Sequence, residues 1–255
     1  LGFRFASGSD DPVSTNQTLD GGFSSKQVNI DLAYVAWKPS VVNGLSFVGG
    51  KVKNPFRSPG KTELLWDGDL NPEGFAVCLS RPFATGLDYY VNASYFSIDE
   101  RKSDTDAVLL GVQAGAAVSS DVADILVGAG YFDYQNTKSN LPVFDDTDSF
   151  GNSTDANGEY LYDYDEVELL FELAPKGMLE NATVFVDLVT NVAADVDDNM
   201  GWLAGAKYVV GPLSAAYSYR YLKKDAVLGA FTDSDFIGGG TDGIGHELTL
   251  QYDIA

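Results

Sequence analysis

The chain has 255 residues, enough for one large β-domain or two ordinary ones. Its 37 acidic and 16 basic residues leave a net charge of −21, without the basic footprint that nucleic acid needs. With 45% apolar and 13% aromatic residues it is no disordered polyanion. Its one cysteine (Cys78) excludes an intrachain disulfide, and its one histidine (His246) a His-rich metal centre.

Period-two alternation, the mark of a strand, begins at the N-terminus in "LGFRFAS", with Arg4 on the polar face. In "VNIDLAYVAW" it sets Val28, Ile30, Leu32, Tyr34 and Ala36 against Asn29, Asp31 and Ala33. "LSFVGGKVKN" follows, with Lys51 and Lys53 in phase with Phe47 and Gly49. "LDYYVNASYFS" sets Leu87, Tyr89, Val91, Ala93 and Tyr95 against Asp88, Tyr90, Asn92 and Ser94. "EVELLFEL" opposes Val167, Leu169 and Phe171 to Glu166, Glu168 and Glu172, and "ATVFVDLVTN" opposes Val184, Val186 and Leu188 to Thr183, Asp187 and Asn191. "LSAAYSYRY" puts Arg220 opposite a Tyr217, Tyr219 and Tyr221 row, and "HELTLQYDI" closes the series. Twelve runs in all start near residues 1, 28, 44, 74, 86, 106, 122, 165, 182, 200, 213 and 246.

Most runs span about nine to eleven residues, which at a tilt near 40° rise roughly 25 Å; soluble strands average nearer five or six. The connections alternate. Long ones at about 8–27, 54–72, 135–163 and 224–245 are interleaved with short ones such as "PSVVN" (39–43), "SSD" (119–121) and "GP" (211–212). A meander in which every second turn is short describes an antiparallel up-and-down transmembrane β-barrel, with tight turns at one end and extended external loops at the other. In hydrocarbon each backbone N–H and C=O needs an internal partner, so such a sheet must close. Tyr131, Tyr134, Tyr208, Tyr219 and Tyr221 near strand ends read as interfacial girdles. No apolar run reaches the roughly 18 residues a spanning helix needs. The alternative is a soluble secreted acidic β-protein, an adhesin or a carbohydrate- or calcium-binding module.

Particular stretches carry a resemblance. "GFRFASGSDDPVSTNQTLDGGFS" (2–24), "GGKVKNPF" (49–56), "LLWDGDLNPEG" (64–74), "GNSTDANGEYLYDYDEVEL" (151–169) and "KDAVLGAFTDSDFIGGGTDGIGHELTL" (224–250) resemble segments of the bacterial putative-porin family. The resemblance implies a general-diffusion porin of the Gram-negative outer membrane. It would be a homotrimer in contact with lipid and lipopolysaccharide, passing ions and small hydrophilic solutes. It also implies strand sequence before and after this chain, so that 14–16 strands make the whole barrel, a closed twelve-strand barrel being the alternative.

A porin performs no chemistry, so its functional residues line the narrowest part of the lumen. A charge facing lipid at mid-bilayer costs roughly 2–4 kcal/mol, which turns Arg4, Asp31, Asp88, Asp124, Glu168, Glu172, Asp187, Lys207 and Arg220 inward. Lys51 and Lys53 are placed inward near the external rim. Loop 54–72 is the candidate for folding into the lumen, with Trp66 as anchor and Asp67 and Asp69 facing the solute path. The acidic excess suggests cation preference. No catalytic residues and no cofactor are expected: Asp67, Asp69 and Glu73 read as turn chemistry, although such a triplet could in principle supply a glycosidase-like carboxylate pair. Asp146, Asp148, Asp155, Asn157 and Glu159 offer oxygens for a calcium ion in an external loop, without the EF-hand spacing.

Overall fold

Alternating apolar residues and turn-forming breaks organise nearly the whole chain into one sheet. The computed structural model describes residues 1–8, 10–16, 22–102 and 104–254. Its strands are β1 (Gly2–Ser7), β2 (Val28–Trp37), β3 (Leu45–Lys51), β4 (Glu73–Ala84), β5 (Leu87–Asp99), β6 (Ala107–Ser119), β7 (Ala123–Gln135), β8 (Tyr164–Pro175), β9 (Ala182–Asn191), β10 (Met200–Val210), β11 (Leu213–Leu222) and β12 (Gly243–Tyr252). Each pairs antiparallel with its sequence neighbours, in the spatial order β1 to β12. Among the described residues β1 and β12 share no ladder, so the sheet is open at both edges. Tight turns such as 85–86, 120–122 and 211–212 lie at one end. The long connections 52–72, 136–163 and 223–242 lie at the other, with the described residues 10–16 between β1 and β2.

One face is an apolar coat. Leu169, Phe171, Val112, Val127, Val184, Leu188, Leu248 and Leu250 are exposed on it, with Trp202 stacked beside Tyr219 and Tyr221. The opposite face, here the inner face, carries Asn92, Gln113, Glu166, Glu168, Asp187, Ser218 and Arg220, all buried. They are buried because the long loops fold over them. Phe56, Leu64, Leu65, Trp66 and Leu70 from 52–72, and Val227 and Leu228 from 223–242, form one core with the inner-face residues Phe96, Phe132, Tyr134, Tyr164, Phe185 and Leu203. Burial of each large apolar side chain stabilises the loops by about 1.5–3 kcal/mol.

Two expectations need correction. The even phase through β2 fails because the register against β1 shifts between Arg4 and Phe5, leaving Asp31 as the extra residue of a β-bulge. Before the bulge Ile30 faces out; beyond it Tyr34 packs against the inner core and Val35 and Trp37 face out. Tyr134 is 1% exposed beside Trp66 on the inner face, so it belongs to no girdle. Lys51 stands at the rim, opposite Ala33 and Glu73, and borders the cavities lined by Trp66, Leu70 and Asn71 of the following loop and by Asp31. Phe47 is stacked between Trp37 and Phe75, and Lys51 pairs with Glu73 at 3.2 Å where the strand ends.

Candidate functional site

Loop 52–72 crosses the inner face as a belt, fastened strand by strand. Near its start the Pro55 carbonyl accepts a hydrogen bond from the Asn92 amide of β5 at 2.8 Å. The Gln113 side chain of β6 then meets the Arg57 backbone twice: its oxygen accepts the N–H at 2.8 Å and its amide donates to the carbonyl at 2.9 Å. The Arg57 guanidinium lies 4.0 Å over the Tyr90 ring. Gln113 also donates to Glu168 of β8 at 2.7 Å, so that carboxylate supports the belt from behind. The Gly60 N–H donates to Glu172 at 2.6 Å and the Thr62 hydroxyl to Asp187 of β9 at 3.1 Å. Gly60 has φ +62, and a Cβ there would sit 2.4 Å from the Phe185 ring, so both backbone and space demand glycine.

The middle of the belt meets loop 223–242. Thr232 donates to the Glu63 and Leu64 carbonyls at 3.1 and 2.8 Å, and Asp67 accepts from the Ser234 N–H and hydroxyl, both at 3.0 Å. Arg220 of β11, 2% exposed, pairs with Asp233 at 3.0 Å and donates to Thr232, so its fork fixes the second loop to the wall. On the return, Asp69 accepts from the Thr15 N–H and hydroxyl at 3.0 and 2.9 Å. Asn71 donates to Asp31 at 2.7 Å, and Asp31 pairs with Arg4. Trp66, 5% exposed, is packed among Phe56, Phe132 and Tyr134.

Most of the charges that the alternation turns inward therefore hold loops. Arg4, Asp31, Glu168, Glu172, Asp187 and Arg220 all touch the belt or its neighbour directly or through one side chain. Asp67 and Asp69 join loop to loop, and Lys53 donates to the Gly68 carbonyl. Below the belt, toward the tight turns, Asp88, Asp124, Glu172 and Arg57 line an open cleft of about 500 Å³. There Asp124 also pairs with Lys176 at 2.8 Å.

Beside the belt lies a cavity of about 540 Å³ between Gly60–Glu63, residues 233–237 and strands β9 to β12. Its charged lining is Lys61, Glu63, Lys207, Asp233, Asp235 and Glu247. Burial, reinforced by the neighbouring Asp67 and Asp233 carboxylates, pushes the Glu63 carboxyl up to about 7. Burial also raises Asp67, against the hydrogen bonds it accepts. Glu63, Asp67 and Asp233 come within 4.8 Å of one another, but Arg220 and backbone N–H groups already supply the positive charge there. In the external loop Asp148 and Asp155 cap their own turns. The N–H groups that Asp155 receives from Glu159 and Asn157 hold its carboxyl below the usual range, and Asn157 lies within that turn. Asp146 is exposed, and these oxygens form no three-ligand group among the described residues.

Alternation gave no sign of Thr62, Glu63, Thr232 and Asp233, which act only once the loops are folded. Asn92 and Gln113 were visible as lone amides on an otherwise apolar or small-residue strand.

Twelve up-and-down strands with an apolar coat, a polar inner wall and loops laid across that wall define a porin-type transmembrane β-sheet. The family model described as "Putative porin" matches residues 1–162 and 197–255, all but the stretch that holds β8, β9 and their connections. The chain belongs to that family. Among solved structures it is similar to the outer membrane channel DcaP of Acinetobacter baumannii, at 12% identity and a TM-score of 0.47, over 98% of this chain and 70% of that one. No curated protein matches the sequence.

Proposed function

We propose that the protein is a porin of the bacterial outer membrane, a water-filled channel through which ions and small hydrophilic solutes diffuse passively, with a preference for cations. The observation that carries this reading is the 540 Å³ cavity left open beside the belt, with mixed charged lining on a wall whose other face is apolar. Charges on a confining wall set ion preference. Here Asp233 is balanced by Arg220, and Lys61 and Lys207 balance Asp235 and Glu247, so Glu63 and Asp67 just behind it tip the lining negative. The strand carboxylates do no chemistry in this reading; they hold the belt that narrows the lumen. On the family resemblance, three copies of the chain assemble as a homotrimer.

The test is reconstitution of the full-length protein in planar bilayers under a KCl gradient. Stepwise conductance with a reversal potential of the sign set by K⁺ is expected, and absence of conductance from folded protein overturns the reading. Chemical cross-linking of detergent-extracted protein tests the trimer.

A further inference from the structure

Glu63 differs from every other carboxylate that faces the cavity. Asp233 is ion-paired with Arg220 and accepts the N–H groups of Asp235 and Phe236 at 2.9 and 3.1 Å. Asp67, just behind, is saturated by Asp69 and Ser234. Asp235 and Glu247 line the cavity outside the three-carboxylate cluster, and Glu247 accepts from Ser218 at 3.4 Å. Glu63 is half-buried, its carboxylate oxygen within 4.8 Å of oxygens of Asp67 and Asp233, and it accepts one backbone N–H, from Gly68 at 2.8 Å. Its backbone is pinned at the same time by Thr232 and Asp233, so the side chain cannot leave the cavity without unfastening the two loops.

We infer that Glu63 is the selectivity switch of this passage: its carboxylate is the one charge whose gain or loss doubles the net negative charge that Asp67 already leaves around the lining. Two like charges forced close in a partly dry site oppose ionisation of a third, which is the condition found here. Burial and those neighbours bring Glu63 to about 7, so the passage is weakly cation-selective in mild acid and more strongly so in mild alkali. The groups facing Glu63 are Asp67 on its own loop, Asp233 on loop 223–242, Arg220 on β11 and Glu247 on β12. Lys61, Lys207 and Asp235 complete the charged lining. His246 also borders the cavity, but its ring bonds the Tyr217 hydroxyl at 2.7 Å and lies against Tyr219 in the outer row.

This inference rests on the porin reading, and one experiment separates the two. Reversal potentials of the reconstituted full-length protein are recorded in KCl gradients at about pH 5.5 and about pH 8.5. The K⁺/Cl⁻ permeability ratio should rise on the order of three-fold with pH, the effect of one charge acting across several ångströms of a wet path. Glu63→Gln, which keeps an oxygen for the Gly68 N–H, should hold the ratio at its acid value throughout. No conductance overturns the porin reading itself. Conductance with a flat ratio, or with the same swing in Glu63→Gln, overturns the inference, as does a swing abolished by His246→Gln and kept by Glu63→Gln.

Discussion

Arg220 shows what a single residue does here. A guanidinium that is 2% exposed is costly unless its donors are used. Asp233 and Thr232 take its two terminal nitrogens, while its Nε has no hydrogen-bond partner among the described residues and the Phe236 ring lies 5.0 Å from the guanidinium. Arg220→Met leaves Asp233 buried without its counter-charge, a loss of about 3–5 kcal/mol by the usual cost of breaking a buried pair. The expected outcome is release of loop 223–242, read as faster protease nicking within that loop and a larger single-channel current. Arg220→Lys should recover only part, because an ammonium cannot serve both partners as a fork does. Glu63 gives a second test at this scale. Its folded-state value of about 7 lies above the 4.5 of an ordinary glutamate, so its stabilising share is complete below about 4.5 and lost as pH rises through about 7. Thermal stability of the wild type should therefore fall across that window, and Glu63→Gln should flatten the slope. The sequence placed Arg220 on the inner face, since lipid would not accept it. Its partners lie twelve and thirteen residues on in an irregular loop, where no periodicity points.

Strands and loops differed in how far they could be read from the chain. The twelve runs of alternation begin within about three residues of the observed strands, because each strand has one face in an apolar coat and the other on a polar wall. The β2 bulge escaped that reading: one extra residue at Asp31 exchanges the faces of everything after it, and Val28 to Ala36 look regular either way. The path of the belt was also hidden. It depends on contacts such as Gly60 with Glu172, 112 residues apart, that no local pattern encodes. Gly60 is the tightest point of that element. Gly60→Val adds a branched side chain where φ is +62 and where Phe185 already occupies the space, with a backbone cost alone of about 1–3 kcal/mol. The belt should detach from β8 and β9 while the strands persist. The measurement is open-channel current: a larger mean and more noise than wild type, with an unchanged β-sheet circular dichroism spectrum. Unaltered current would mean that the belt does not narrow the passage.

At the scale of the whole molecule the two faces of the sheet must sit in different solvents, and a paired substitution tests that directly. Leu169 lies in the middle of β8, 53% exposed on the outer coat and flanked across the strands by Ala129 and Leu188. Asp88 lies on the inner face near the tight-turn end, open to the cleft below the belt. An arginine in place of Leu169 meets hydrocarbon and should cost roughly 2–4 kcal/mol near the bilayer centre. An arginine in place of Asp88 meets water and should cost little. The contrast cannot come from charge alone, since both variants make the protein more basic, and Asp88→Arg changes the net charge by more. Refolding each into liposomes and scoring the folded fraction by resistance to protease should give wild-type yield for Asp88→Arg and a marked loss for Leu169→Arg. In a soluble β-protein both sites would face water, and the two variants would fold alike. The same pair carries a second readout: Asp88→Arg should shift the reversal potential toward Cl⁻ if the cleft lies on the ion path. The few Leu169→Arg channels that do insert should keep the wild-type value, because that side chain lies outside the lumen.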